Sequence, residues 1–277
     1  MGTSPLTVEP MTEASDPRVV VTGASSGIGV AFARAFRARG ERVVLVARRA
    51  DRLEALAREL GGEPSALAVP LDLAAEGAAE ALRSTLEARG IVVDGLVNCA
   101  GLGHTAPFEE QREETIRAML DLNVRAVVEL TRAFLPAMRA RGRGRIVNVA
   151  SNAAFQPVPY LNVYAATKAF VLSFSEGLAE ELRGTGIRVQ ALCPGITATE
   201  FLEVAGSHRG LLVARMPMMT PAEVVEASLR GLDRGRVRVV AGRLNRLLAF
   251  VTERLAPHVL ARRVAAQLYR PLGVSRS

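Results

Sequence analysis

A strand pattern runs directly into a glycine-rich turn and a helix pattern in the stretch Arg18-Val-Val-Val-Thr-Gly-Ala-Ser-Ser-Gly-Ile-Gly-Val-Ala-Phe-Ala-Arg-Ala-Phe36. The β-branched run at its start predicts a short buried strand, and the amphipathic run at its end predicts a helix. A helix that begins here aims its free N-terminal amides at the space beyond the strand, where they can bind a phosphate. The stretch therefore predicts the start of a nucleotide-binding α/β domain.

Each glycine of this turn has its own expected task. Gly23 allows a tight turn, Gly27 lets the backbone approach a pyrophosphate, and Gly29 lets the helix pack closely on the sheet. An ordinary glycine-rich turn is the alternative, and the strand and helix on either side of it make that the weaker interpretation.

Strand and helix patterns continue to alternate through residues 18–240, which predicts a single doubly wound domain with a parallel sheet. No linker or internal repeat divides this region, and no apolar run reaches the length that a membrane span needs. Residues 1–17 carry neither the basic nor the apolar segment of a signal peptide, so we expect them to form a disordered tail.

Composition narrows the class of protein. The net charge is +7, but the arginines are dispersed and only 4% of the residues are aromatic. We therefore expect no nucleic-acid partner, and we expect the charge to attract an anionic coenzyme instead. The two cysteines, Cys99 and Cys193, and the three histidines lack metal-ligand spacing, so no metal site is expected. Two free thiols favour a reducing compartment, the cytoplasm.

The run Tyr164-Ala-Ala-Thr-Lys168 places a phenol and an ammonium one helical turn apart on the same face. The lysine charge favours tyrosinate, so we expect it to lower the pKa of the phenol. Such a pair can exchange a proton with a carbonyl or an alcohol. Taken alone, this spacing is common on solvated helices and is weak evidence.

The glycine turn followed far downstream by the Tyr164–Lys168 pair resembles the short-chain dehydrogenase/reductase family, over about residues 18–240. The resemblance implies a Rossmann fold with a seven-stranded parallel sheet and an NAD(P)-dependent oxidoreductase that interconverts a ketone and a secondary alcohol. It implies that Tyr164 is the acid/base, that Lys168 binds the nicotinamide ribose, and that Asn123 holds a water of the proton relay. Ser151, which follows the fifth predicted strand, is expected to orient the carbonyl.

The second predicted strand leads into Arg48, at the position where an acidic residue would bind the adenosine ribose of NAD. A guanidinium there can clamp a 2′-phosphate, so NADP(H) is expected over NAD(H). Many NADP-preferring relatives carry a basic residue at the position of Ser26, and this chain departs from them there. The coenzyme-binding set implied by the family motifs is Gly23, Ser25, Ser26, Gly27, Ile28, Gly29, Arg48, Asp72, Leu73, Asn98, Ala100, Gly101, Tyr164, Lys168, Pro194, Gly195, Ile196, Thr197 and Thr199.

An apolar substrate pocket is expected around Phe155, Val158 and Phe201, under a lid over about residues 199–221. Such a pocket favours an acyl, steroid-like or polyketide-like ketone, and a 3-oxoacyl-thioester reductase lies within this class. The alternative from another class is a nucleotide-sensing or scaffold protein without turnover. That alternative has no need of Asn123, Ser151, Tyr164 and Lys168 together.

Residues 241–277 continue beyond the last predicted strand with a basic amphipathic helix pattern. We expect this extension to cover the cleft or to contact a second subunit, and weak attachment to a membrane surface is the alternative. Because the extension departs from the compact tetrameric relatives, we expect a homodimer built on the long helices that carry Asn123 and Tyr164.

Overall fold

The computed structural model describes residues 17–201, 205, 218–255 and 258–269 of the chain. One sheet contains seven strands: β1 (Pro17–Thr22), β2 (Arg42–Ala47), β3 (Ala66–Pro70), β4 (Val92–Asn98), β5 (Gly144–Val149), β6 (Ile187–Cys193) and β7 (Arg238–Val240). Their order is β3-β2-β1-β4-β5-β6-β7, and every neighbouring pair is parallel. The strand order reverses between β1 and β4, which opens a ligand crevice at the carboxyl ends of these strands.

Helices cover both faces of the sheet. They are α1 (Gly27–Ala38), α2 (Ala50–Glu59), α3 (Ala78–Ala88), α4 (Glu113–Leu120), α5 (Ala126–Ala140), α6 (Asn162–Glu181), α7 (Pro221–Asp233), α8 (Arg243–Phe250) and α9 (His258–Tyr269). A π-helical turn, Asp121–Arg125, joins α4 to α5, and a second one, Val251–Leu255, follows α8. No helix among the described residues is long and apolar enough to cross a membrane.

The buried core has one layer on each side of the sheet. Val19 and Val21 of β1 pack with α1, α2 and α7, whereas Val20 packs on the opposite side with α3, α5 and α6. Because successive side chains of a strand point to opposite faces, both faces of β1 must be apolar, and this explains the uninterrupted β-branched run. The predicted α/β fold with a doubly wound, seven-stranded parallel sheet is confirmed.

Several predicted boundaries move by a few residues. Pro17, assigned to the tail, is the first residue of β1, and residues 1–16 lie outside the described part of the chain. The second and third strands end at Ala47 and Pro70, so Arg48 and Asp72 lie in the turns after them. Of the expected lid over 199–221, residues 202–204 and 206–217 also lie outside the described residues.

Candidate active site

The glycine-rich turn of residues 23–29, called the phosphate turn below, follows Thr22, whose side chain bonds the end of β1 to β4 and to the turn after β4. Thr22 Oγ1 accepts the backbone N–H groups of Cys99 at 2.9 Å and Ala100 at 3.0 Å, and donates to the carbonyl of Val97 at 3.1 Å. This side chain is buried at the end of β1. No role was predicted for Thr22, although a hydroxyl at the end of an apolar strand is a signal of a buried hydrogen-bonding group.

All three glycines of the turn are required by contact, and two of them also by conformation. A Cβ on Gly23 would lie 2.9 Å from the backbone of Ala100, a Cβ on Gly27 would lie 2.8 Å from the methyl group of Thr199, and a Cβ on Gly29 would lie 2.2 Å from the carbonyl oxygen of Gly23. Gly23 and Gly27 also have φ values of +67° and +53°, which other residues rarely adopt.

The amides at the start of α1 are suited to an anion. In the part of the chain that the structure describes, the side chain of Ser26 makes no capping hydrogen bond to them. Free amides at the N-terminus of a helix of this length, beside two glycines with no Cβ in the way, form a cradle that fits the pyrophosphate of a dinucleotide.

Arginine side chains and a carboxylate meet beside this cradle. Arg49 donates to Ser25 Oγ at 3.0 Å from Nη2 and at 3.2 Å from Nε, and its Nη1 lies 2.9 Å from Glu200. Arg52 donates to the other oxygen of Glu200 at 2.6 Å. These hydrogen bonds, that from Arg49 first, lower the pKa of Glu200 from its ordinary value. Arg48 is exposed.

This arrangement makes Arg49, as well as Arg48, a candidate for binding the 2′-phosphate. Arg48 is the residue predicted to bind the 2′-phosphate, and the structure adds Arg49, whose guanidinium is hydrogen-bonded to Glu200 and to the hydroxyl of Ser25. The Arg49 guanidinium donates to Glu200 through Nη1 alone, and its Nε and Nη2 donate to Ser25 Oγ. A guanidinium carries several donors in one plane, which suits it to a phosphate.

Tyr164 and Lys168 lie on α6 as the spacing predicted. Both side chains are buried, and Lys168 Nζ lies 5.6 Å from the centre of the Tyr164 ring and donates to the carbonyl of Val149 at 2.8 Å. Burial lowers the pKa of Lys168 to about 8. A Cβ on Gly101 would lie 3.4 Å from both Lys168 Nζ and Asn123 Oδ1, so these three groups surround one point.

The pKa of the Tyr164 phenol differs from the sequence-based expectation. We expected Lys168 to lower it, but burial of the phenol raises it well above its ordinary value, and a hydrogen bond with Ser151 only partly opposes that effect. The reason is desolvation, which disfavours the tyrosinate and at the same time lowers the pKa of Lys168. In this structure the phenol is therefore a proton donor at neutral pH.

Asn123 lies in the π turn between α4 and α5 and is completely buried. Its Oδ1 accepts the N–H of Leu102 at 2.9 Å, and its Nδ2 donates to the Leu102 carbonyl at 2.8 Å and to Thr167 Oγ1 at 3.0 Å. The side chain thus joins the long helix to the turn after β4 and to α6. Single π turns of this kind occur frequently at functional sites.

Ser151 lies beyond the carboxyl end of β5, as expected. Its Oγ accepts the N–H of Ala153 at 3.1 Å, which caps the short 3₁₀ helix Asn152–Phe155. The same hydroxyl is hydrogen-bonded to the Tyr164 side chain. The four predicted catalytic residues are thus brought together from the α4–α5 turn, the end of β5 and one face of α6.

The side chain of Asn98, a predicted coenzyme-binding residue, lies in the core. Its Nδ2 donates to Asn148 Oδ1 at 2.8 Å and lies 3.3 Å from Thr131 Oγ1, and Asn148 in turn donates to Ser175. All four side chains are buried. Successive side chains of a strand point to opposite faces of the sheet, and both faces of this sheet are covered. The Asn98 side chain therefore belongs to a polar network inside the protein.

Phe155, which we expected near the substrate, lies in a cluster separate from that of Tyr164. It packs with Val127, Ala191 and Cys193, in a different cluster from Tyr164, and the Arg238 guanidinium lies 5.6 Å from its ring centre. The 3₁₀ helix that carries it turns the ring toward β6 and β7. Val158 and Phe201 do pack with Tyr164, and the Phe201 and Tyr164 ring centres are 5.2 Å apart.

The segment after β6 is tied to the rest of the crevice. The carbonyl of Pro194 accepts the N–H of Asn152 at 2.8 Å, and Thr197 forms a parallel bridge with Met219. Gly195 is in contact with Asn245 of α8, which lies where its Cβ would be, at 2.3 Å. This segment carries the last residues of the predicted coenzyme set, Pro194, Gly195, Ile196, Thr197 and Thr199.

The remaining predicted coenzyme residues lie at the mouths of the strands. Asp72 is exposed, and its Oδ1 accepts the N–H of Ala74 at 3.0 Å, whereas Leu73 is buried. Ile28 is partly buried and packs on the core behind the phosphate turn.

Of the two cysteines, Cys193 is buried and Cys99 is only half-buried, and both thiols are free. No group of three potential metal ligands occurs in the described residues.

The comparisons with known proteins agree with this geometry. The family model for short chain dehydrogenases matches residues 17–210. The chain belongs to the short-chain dehydrogenase family. The family named from the glycine turn and the Tyr164–Lys168 pair is therefore confirmed, and with it the class of oxidoreductases.

Three members show how closely this short-chain dehydrogenase resembles known proteins. It is 38% identical over 215 residues to an NADP-dependent 3-hydroxy acid dehydrogenase of Salmonella typhi, covering 76% of this chain and 86% of the relative. A short-chain dehydrogenase from Sphingobium yanoikuyae solved in complex with NADPH has a TM-score of 0.74 and 38% identity, covering 81% and 87% of the two chains. A bulky-bulky ketone specific alcohol dehydrogenase from Comamonas testosteroni has a TM-score of 0.70 and 31% identity, covering 95% and 98%.

Proposed function

We propose that this short-chain dehydrogenase interconverts a ketone and a secondary alcohol on an apolar substrate, with NADP(H) as coenzyme. The observation that carries the proposal is the convergence of Lys168 Nζ and Asn123 Oδ1 on the Gly101 turn, beside a buried Tyr164 that is hydrogen-bonded to Ser151. A protein that only binds a nucleotide has no need of all four groups.

The choice of NADP(H) is supported by the site and by the relatives. Arg48 and Arg49 lie at the end of β2, and no acidic residue occupies this turn to repel a 2′-phosphate. The relatives from Salmonella typhi and Sphingobium yanoikuyae are, respectively, NADP-dependent and bound to NADPH. The bound nicotinamide would supply or accept the hydride.

The residues of this chain would handle the proton. Tyr164, whose raised pKa keeps it protonated, donates a proton to the carbonyl oxygen in reduction and takes it back in oxidation. Ser151 polarises and orients the carbonyl by hydrogen bonding. Lys168 binds the ribose hydroxyls with the N–H groups that Val149 does not use, and Asn123 holds a relay water next to the Gly101 turn.

The apolar substrate class is supported by the side chains that surround the phenol. Met119, Val158 and Leu161 are buried against Tyr164, and Phe201 lies on its ring. The relative from Comamonas testosteroni is named for bulky ketones, which agrees with such a lining. Acyl, steroid-like and polyketide-like ketones fit this class, and a 3-oxoacyl-thioester reductase is a narrower form of it.

The oligomeric state, the membrane contact and the cellular compartment belong to the same proposal. A homodimer through α5 and α6 is supported by Phe170 of α6, which is 40% exposed although it stacks on Phe174. Weak contact with a membrane surface is supported by the exposed leucines of α8, which alternate with arginines. Free thiols at Cys99 and Cys193 suit the cytoplasm.

The proposal is tested by Tyr164→Phe, with Tyr160→Phe as the matched control in the preceding turn. We expect Tyr164→Phe to lower kcat at least ~10²-fold, because the proton donor is lost, while the Kd for NADPH stays within about twofold. Turnover of acetophenone, ethyl 3-oxobutanoate and an oxosteroid is followed by NADPH fluorescence.

Two outcomes would contradict the proposal. Equal turnover in Tyr164→Phe and the wild type would remove the phenol from the mechanism. Tight binding of NADPH by a wild type that turns over none of the ketones would favour the nucleotide-sensing alternative.

A further inference from the structure

The C-terminal extension folds back on the active site of its own chain. Asn245 of α8 contacts Gly195, and Ala249 of the same helix is buried in the cluster that contains Phe155. Glu253 in the following π turn is paired with Arg238 of β7 at 2.8 Å. The extension is therefore anchored beside the segment after β6.

The last described residue of the extension reaches the catalytic phenol. Tyr269, at the end of α9, is partly buried and packs against the buried cluster that contains Tyr164, Val158 and Leu161. The two phenols are close enough to interact electrostatically, and burial raises the pKa of Tyr269 from its ordinary value. The outward side of the same helix is solvated, since Val264 is 48% exposed.

We propose that Tyr269 is the outer wall of the substrate pocket and determines how large a ketone substituent can lie against Tyr164. This inference rests on the proposed function, because it assigns a role toward the substrate of that same site. It also goes beyond the family motifs, since residue 269 lies outside the region that the family model matches.

The other walls explain why this one controls size. Met119, Val158 and Leu161 are at most 4% exposed, and they belong to the helices and turns of the main domain. A densely packed interior of this kind resists enlargement. Tyr269 stands on a helix with a solvated outer face, so truncating its side chain opens the pocket outward without leaving a cavity in the core.

The first experiment tests the position of the side chain without turnover. The chain contains no tryptophan, so Tyr269→Trp and the control Val264→Trp each carry a single indole. We expect the indole at position 269 to resist acrylamide quenching and to change its emission when acetophenone is added to the NADP⁺ complex, which has no hydride to transfer to the ketone. Quenching equal to that of the Val264→Trp control would overturn the proposal.

The second experiment tests selection by size. We expect Tyr269→Ala to raise the ratio of kcat/KM for benzophenone over acetophenone at least ~10-fold, since a pocket wall that loses a ring discriminates by this order. Tyr269→Phe and Val264→Ala should leave the ratio within about twofold of the wild type, with the Kd for NADPH unchanged in all three.

The results separate the two proposals. An unchanged ratio in Tyr269→Ala, in a protein that still binds NADPH and unfolds cooperatively, overturns the role of Tyr269 and leaves the proposed function intact. Absence of ketone turnover in the wild type, with the indole still protected, overturns the proposed function and the substrate role of Tyr269 with it.

Discussion

At the end of the crevice near β2, two arginine side chains bind a carboxylate of the protein itself. Glu200 lies between Arg49 and Arg52 and accepts from both. The pair is exposed enough for solvent to screen it, so the contact is easily exchanged. A 2′-phosphate would compete with Glu200 for the same donors.

We therefore expect Arg48→Asp to shift coenzyme preference from NADPH toward NADH by at least ~10-fold, because a carboxylate repels a 2′-phosphate and binds ribose hydroxyls. Glu200→Gln removes the competing charge and leaves Arg48 in place. It should lower the Kd for NADPH and leave the Kd for NADH unchanged. Fluorescence titration of both coenzymes measures these effects. A ratio that Arg48→Asp leaves unchanged, but Arg49→Asp alters, would transfer the selecting role to Arg49.

Individual helices and turns differ in what they contribute. The π turn that carries Asn123 joins three segments around the Gly101 turn, whereas α7 is held at its start by a capping box in which Thr220 and Glu223 bond reciprocally. The first arrangement positions the site, and the second stabilises one helix at the surface.

Asn123→Ala should lower both the free energy of unfolding, by about 2 kcal/mol, and kcat, by at least ~10-fold, because it leaves the partly buried backbone groups of Leu102 without their partner. Thr220→Ala is the structural control and should cost about 1 kcal/mol with kcat unchanged. Urea unfolding and steady-state kinetics on both variants measure this. A kcat for Asn123→Ala equal to that of Thr220→Ala would reduce Asn123 to a structural residue.

Burial of Lys168 lowers the free energy of unfolding of the whole molecule at pH values where the lysine must lose its proton or be buried with its charge. The pKa of this lysine is about 8 in the folded protein and lies below its ordinary value of 10.5. Between these values the unfolded state binds more protons than the folded state, so the free energy of unfolding rises with pH. The opposite contribution of the buried Cys193 thiol, whose pKa is raised to about 12, begins only above its ordinary value of 9.0.

We expect the coenzyme-free wild type to gain about 1 kcal/mol of stability, relative to Lys168→Met, between pH 7 and pH 9. The comparison cancels every group that the two proteins share. Urea unfolding at the two pH values gives the difference. A difference that is independent of pH would mean that Lys168 has an ordinary pKa in the folded protein.

The sequence by itself determined the fold and the chemistry of the site, because both depend on local patterns. The apolar run of β1, the positive-φ glycines and the i, i+4 spacing of Tyr164 and Lys168 act within one or two elements. The same holds for the positions of the predicted catalytic residues Ser151 and Asn123, which follow from the strand end and from the motif order of the family.

Only the tertiary structure decided what depends on contacts between distant segments. It directs the side chains of Asn98 and Phe155 into the core, because packing against neighbouring elements decides which way a side chain points. It raised the pKa of Tyr164, since desolvation requires a closed interior. It also brought Glu200 to Arg49 and Tyr269 to Tyr164, pairs separated by more than a hundred residues, for which no local pattern carries a signal.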